Sequence, residues 1–384
     1  MQTRPQSFNS DVGPLGLSAS LVATNSASII GAWCGNSLRA VIITGSMARN
    51  EATWVQSGPR VRVCGDAELL LVFHRHRKMP SDAEISSLRR EIETALAAED
   101  IACAICLNPV RPQYLTQLRP HIFAYELLSH GRVIWGDPNV LSLAPPFSSR
   151  DIPHEDAFCL LSNRVVEFIE ALGTGDALYA QAKLYLDIAT SYLLFEGEYA
   201  SGYAVRAERL RARALEFEAA TGAPLERVLS ALDFKLQGSE PLLGPREEAL
   251  RCAVRLADWE LRRMAGIDAP RELLLRSWMR SQPAIRRIRG WAFTARACGW
   301  YPDSQAWVRW ARLAIVGSPR YWVYLVAWSL ASQLSTANPA DTRALPHLQS
   351  CLPWIANRPA VLTWRELAIQ LGKNYHAFLE QTRA

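Results

Sequence analysis

Apolar and polar positions follow two rhythms along this chain, and the change falls near residue 150. Before it, short β-branched runs alternate with amphipathic stretches. A helix is expected over 18–38, and the run Ala40-Val41-Ile42-Ile43 reads as a strand. It ends in Thr44-Gly45-Ser46, a turn able to open a short helix. Residues 54–60 contain Gly58 and Pro59 and read as a loop. A second strand covers 66–73; its stretch 69–73 is continuously apolar, as expected of a strand buried on both faces. Ser81 and Glu84 form a capping box at the head of a charged helix ending near Ala98. A third strand over 101–107 is ended by Pro109 and Pro112, a helix follows over 120–130, and a short strand covers 132–135.

Residues 142–153 hold Pro145, Pro146 and Pro153 and mark a domain boundary. Beyond it only helical periodicity remains, over 158–172, 178–196, 203–221, 245–265 and 271–279, then through several Trp-rich helices. A single core rarely grows past about 250–300 residues. The 384 residues therefore divide into a loose N-terminus (1–17), an α/β domain (18–150) and a helical domain (151–384). The fold class expected is α+β, a small mixed β-sheet domain followed by an all-α domain.

Composition excludes several classes of protein. With 49% apolar and 21% charged residues the chain is not a disordered polymer. A net charge of +5, spread over both halves, does not point to a nucleic-acid partner. The eight cysteines lie in apolar surroundings and read as free thiols of a reducing compartment. Cys103-x-x-Cys106 lies in a strand, which sends the two thiols to opposite faces. The N-terminus has no charged-then-apolar signal pattern, and the apolar stretch 321–334 is too short to span a bilayer. A cytoplasmic protein with no membrane partner is expected; a homodimer is compatible with all of this.

Two basic runs, His74-Arg75-His76-Arg77-Lys78 and Arg286-Arg287-Ile288-Arg289, read as solvated surface. The second lies near Trp291, which leaves a nucleotide contact open. Most of the thirteen tryptophans lie in the helical half, where core packing is their default role.

The chemistry is concentrated between Val41 and Phe73. Side chains at i and i+2 of a strand share a face, so Asp66 and Glu68 form a paired-carboxylate claw. Such a pair repels itself until a divalent cation neutralises it, and Mg2+ prefers oxygen ligands with substrate phosphates in its remaining positions. Gly45 admits a close backbone approach to phosphate, Ser46 supplies a hydroxyl, and Arg49 can bind a triphosphate oxygen or pair with Glu51.

Gly45-Ser46-x-x-Arg49-x-Glu51, followed by Asp66-x-Glu68 on an apolar strand, resembles the polymerase-β-type nucleotidyltransferase superfamily, in particular its bacterial minimal and antibiotic-type members. The stretch 123–136 is similar to the helix and strand that close that domain, and the resemblance covers residues 20–140. It implies a nucleotidyltransferase that moves a nucleoside monophosphate from Mg–NTP to an acceptor hydroxyl and releases pyrophosphate. Asp66 and Glu68 would then be the catalytic metal ligands, and Gly45, Ser46 and Arg49 would bind the nucleotide. The partners implied are an NTP and an unidentified acceptor. Two departures stand out. The spacer from Ser46 to Asp66 is long, and the third strand lacks the family's third carboxylate, with Asn108 the nearest polar residue and Glu51, Glu126 and Asp137 the candidates to replace it. Two further readings stay open: a protein AMP-transferring regulator of toxin–antitoxin type, and a catalytically silent fold used as a binding module.

Overall fold

The computed structural model describes residues 14–57, 60–175, 177–297, 304–336, 343–354 and 363–382. The first half comprises α1 (Pro14–Cys34), β1 (Leu38–Thr44), α2 (Gly45–Ala48), β2 (Trp54–Ser57), β3 (Arg60–Phe73), α3 (Asp82–Ala98), β4 (Ile101–Val110), α4 (Pro112–Thr116), α5 (Ile122–His130) and β5 (Arg132–Gly136). The second half comprises α6 (His154–Thr174), α7 (Leu178–Phe195), α8 (Tyr203–Ala212), α9 (Ala214–Thr221), α10 (Leu225–Gln237), α11 (Arg246–Ala265), α12 (Arg271–Ser281), α13 (Ala284–Ala297), α14 (Ser304–Val316), α15 (Pro319–Leu334), α16 (Leu345–Ser350) and α17 (Trp364–Thr382). The architecture is mixed α+β with substantial helical content.

β3 is the central strand. Parallel β4 runs along one flank. On the other flank antiparallel β2 covers the first residues of β3 and antiparallel β1 covers the last, with β5 beyond β1. Strand alternation sends Val41, Ile43, Leu69, Leu71 and Phe73 to one face, against α1 and α3. Ala40, Ile42, Leu70 and Val72 go to the other, against α4 and α5. Each face is covered by helices, which is why residues 69–73 are apolar throughout and no more than 2% exposed.

Several element boundaries differ from those expected. The first helix stops at Cys34, and Gly35 takes a left-handed φ of 50° before β1 begins at Leu38. Residues 54–57 and 60–63 pair as antiparallel strands, Trp54 with Val63 and Ser57 with Arg60, so β3 starts six residues early. Gly58 and Pro59 lie outside the described residues. β4 continues through Pro109 to Val110, because it pairs only with β3 and a proline on an edge strand forfeits no ladder bond on its open side. The helix expected over 203–221 breaks at Arg213 into α8 and α9.

The helical half packs around α7, fourteen of whose residues from Gln181 to Phe195 are buried. The apolar stretch of α15 is a core helix with Trp328 fully buried, and no helix among the described residues is long and apolar enough to cross a membrane. The described cysteines are free, Cys103 is buried where Cys106 is half-exposed, and Cys298 lies outside the described residues.

Candidate active site

The register of the sheet opens a gap beside β3. β2 covers it only to Val63, and β1 ends at Thr44, opposite Glu68. β1 ends there because Gly45 turns with a φ of +68°, a conformation that costs an L-residue about 1–2 kcal/mol. Beyond the bond from the Cys64 amide to the Thr53 carbonyl, residues 65–67 have no β-partner on that flank, and Asp66 is exposed while Ala67 beneath it is fully buried. A Cβ on Gly45 would stand 2.5 Å from Glu68 Oε2, so the glycine turn and this carboxylate are in direct juxtaposition. Asp66, Glu68 and Leu70 project to one face, the side of α4 and α5. The Thr44 hydroxyl opposite Glu68 is buried with no hydrogen-bond partner among the described residues.

α7 faces this gap. The Tyr179 hydroxyl donates to the Cys64 carbonyl, and a Cβ on Gly65 would lie 3.7 Å from the same oxygen. One turn on, the Lys183 ammonium sits over the Tyr179 ring at 5.4 Å from its centroid. Lys183 is pushed below the usual lysine range, first by the charge of Arg164 and then by burial, with Glu167, Asp187 and Asp66 opposing. Lys235 of α10 is 7% exposed and lowered to about 8, by burial first and then by the charges of Lys183 and Arg49. Neither lysine forms an ion pair among the described residues. Arg164 is committed, with its Nε 2.6 Å from Asp187 Oδ2 and its Nη1 on Glu167.

The remaining expected site residues form a second cluster. Arg49 donates to Glu51 Oε2 at 2.8 Å and to Glu126 Oε2 at 2.5 Å, and its side chain is only 7% exposed. Glu51 also accepts the Tyr203 amide at 2.7 Å. Glu126 accepts the Tyr199 hydroxyl at 2.6 Å and Arg206 Nη2 at 3.1 Å. The donors of Arg49 and the oxygens of Glu51 and Glu126 thus fasten α2 and α5 to α8. Asp137 pairs with Arg39 at 2.9 Å, five residues before Thr44 on β1 and about 17 Å along the strand from the glycine turn. Beside the carboxylate pair, β4 presents Ala104, Cys106 and Asn108, none of them acidic. The acids near Lys183 in the helical half, Glu167 and Asp187, are both paired with Arg164, at 34% and 10% side-chain exposure.

The donors present suit a hard divalent cation. Asp66, Glu68 and the unpartnered Thr44 hydroxyl are all oxygen, and no group of three His, Cys, Asp or Glu placed to hold a metal occurs among the described residues. Such a set leaves coordination positions for water and phosphate, as Mg2+ requires.

Sequence reasoning missed Lys183, Lys235 and Tyr179. A signal for Lys235 was present: Val228, Ala231, Leu232 and Lys235 occupy i, i+3, i+4 and i+7, so a lysine sits in the buried stripe of α10.

No family model matches the chain, and no curated protein matches it. Among solved structures, a spectinomycin adenyltransferase from Enterococcus faecialis, solved with ATP and spectinomycin, is similar over 61% of this chain and 98% of its own, at 15% identity and a TM-score of 0.39. A likeness at this score carries no inference for this chain, whose reading rests on the residues described above.

Proposed function

We propose that the chain is a nucleotidyltransferase that moves a nucleoside monophosphate from Mg–NTP to the hydroxyl of a small-molecule acceptor. One observation carries this reading: the Glu68 carboxylate abuts the left-handed Gly45 turn, with Asp66 on the same strand face and its charge acting on Lys183. Nucleotidyl transfer needs that combination, oxygen donors for a cation beside fixed positive charge for a triphosphate.

In this proposal residues 18–150 supply the nucleotide site and residues 151–384 supply its opposite wall. Asp66 and Glu68 hold the Mg2+, which when bound offsets charge on the triphosphate. The Gly45 backbone and the Ser46 hydroxyl contact phosphate oxygens, and Lys183 and Lys235 face the same anion from α7 and α10. Lysines in no ion pair are ready to receive a phosphate. Arg49 acts one step back: its donors are spent on Glu51 and Glu126, so it positions the turn. The acceptor oxygen attacks the α-phosphorus in line, the bond from that phosphorus to the bridging oxygen breaks, and pyrophosphate departs. The acceptor proton passes to water.

One observation favours a second reading. The neutral β4 neighbours Ala104, Cys106 and Asn108 suit a silent fold that binds nucleotide without transferring it. Incubation with each α-labelled NTP and panels of sugar, antibiotic and protein acceptors separates the readings. Label on a small molecule, lost in Asp66→Asn, supports transfer; label on protein redirects the acceptor to a polypeptide; nucleotide binding without label transfer supports the silent fold.

A further inference from the structure

A cavity of about 840 Å3 opens between α6, α13, α15 and α17 and the residues just before α5. It is separate from the cleft. Glu155 and Cys159 of α6 line it, and Arg164 on the same helix lies about 7–8 Å beyond Cys159 along the axis. Its volume is in the range of small-molecule sites.

Four guanidiniums, of Arg119, Arg286, Arg289 and Arg320, outnumber the three carboxylates of Asp151, Glu155 and Asp156 in this cavity. Its acids have internal partners: Asp151 caps its own turn through Ser148, Asp156 accepts the Ile122 amide at 2.7 Å, and Glu155 pairs with Arg286 at 3.4 Å. Three further guanidiniums, of Arg119, Arg289 and Arg320, have no carboxylate partner among the described residues. Arg320 is the most fixed of them. It donates to Tyr324 and Asn163 and is held between the rings of Tyr324 and Phe378, 5.2 and 5.6 Å from their centroids. Arg119 and Arg289 are exposed at the mouth, where an adjoining depression of about 690 Å3 shares them. A partly buried cation with no anion keeps an unmet electrostatic demand, and guanidiniums answer it best with the oxygens of a phosphate. The walls add ring surface from Phe293 and Tyr321.

We propose that this cavity binds a small phosphomonoester that carries an aromatic ring, its phosphate on Arg320, Arg289 and Arg119 and its ring against Phe293. The inference is independent of the transfer reaction, since it uses none of the residues of the cleft. It gives a role to the basic run of α13, whose Arg286 and Arg289 point into this space.

Titration calorimetry on the full chain with phenyl phosphate, inorganic phosphate and phenol tests it. Phenyl phosphate is expected to bind one per chain, at least tenfold tighter than inorganic phosphate, with phenol silent. Arg289→Glu and Arg119→Glu, both exposed and expected to leave the melting temperature unchanged, should each weaken phenyl phosphate at least tenfold. Phe293→Ala should remove the advantage over inorganic phosphate, and Lys183→Ala should change nothing. No binding by phenyl phosphate, binding that survives both arginine replacements, equal affinity for phenyl and inorganic phosphate, or binding lost in Lys183→Ala would each overturn the proposal.

Discussion

Glu126 of α5 and Arg206 of α8 meet at 3.1 Å, joining the sheet half of the chain to the helical half. The same carboxylate holds Arg49 at 2.5 Å, and the side chains of the two arginines are 5% and 7% exposed. One acid therefore bridges two nearly buried guanidiniums, with Glu51 as the second carboxylate on Arg49. Removing one partner of such a set leaves charge stranded in a poor solvent and costs about 3–5 kcal/mol. Glu126→Gln is expected to lower the stability of the whole chain by that amount in urea denaturation. A loss under about 1 kcal/mol would show that the network contributes little.

Gly45→Ala tests the turn. The alanine takes a left-handed φ and its Cβ meets the Glu68 carboxylate at 2.5 Å. The strain costs about 1–2 kcal/mol, and displacing a metal-holding carboxylate by an ångström is expected to lower transfer about 100-fold. Activity within threefold of wild type, measured by release of pyrophosphate, would separate the turn from the chemistry.

Lys235 ties binding to pH. Its folded value of about 8 lies below the ordinary 10.5, so the unfolded chain keeps this proton to higher pH. The penalty for folding with the charge buried is fully present below pH 8, and stability recovers as pH rises from about 8 to 10.5. Lys235→Met is therefore expected to be more stable than wild type at pH 7, by on the order of 1–3 kcal/mol. It should also bind nucleotide more weakly. The wild-type KM for NTP should rise above pH 8 as the charge is lost, and the variant's KM should stay flat across that window.

Glu260 of α11 is an acid stored in the helical core. The Ser191 hydroxyl oxygen lies 2.8 Å from the Ala157 carbonyl and 2.6 Å from Glu260 Oε1, and it has one proton to give. A protonated Glu260 donates to Ser191, which then donates to Ala157, and both contacts are satisfied. Burial raises this carboxyl to about 8, with the contact to Ser191 opposing the rise. The folded chain retains the proton where the unfolded chain loses it, so stability falls as pH climbs from about 4.5 to 8. Glu260→Gln is expected to raise the melting temperature at pH 8 and to leave it unchanged at pH 4; the opposite pattern would mean that the acid is ionised in the fold.

What was legible in the sequence was local. The apolar run 69–73 and the capping box of Ser81 and Glu84 are set by neighbours within a few residues, and both stand where expected. The pairing of β2 and β3 was hidden because Gly58-Pro59 marks a turn without revealing the strands on either side. The fate of Arg49 was settled by Glu126, 77 residues away, and no local pattern carries that. Lys183 and Lys235 were missed because lysine is ordinarily a surface residue, and only the packing of α7 and α10 draws them inward.

The most direct test of the carboxylate pair needs no acceptor. Binding of each of the four NTPs is measured by calorimetry with Mg2+ and with a chelator, for wild type and for the double variant Asp66→Asn, Glu68→Gln. Wild type should bind at least one NTP tenfold or more tighter with Mg2+, and the double variant should show no such gain. An equal gain in both proteins would contradict a metal held by Asp66 and Glu68, and with it the proposed chemistry.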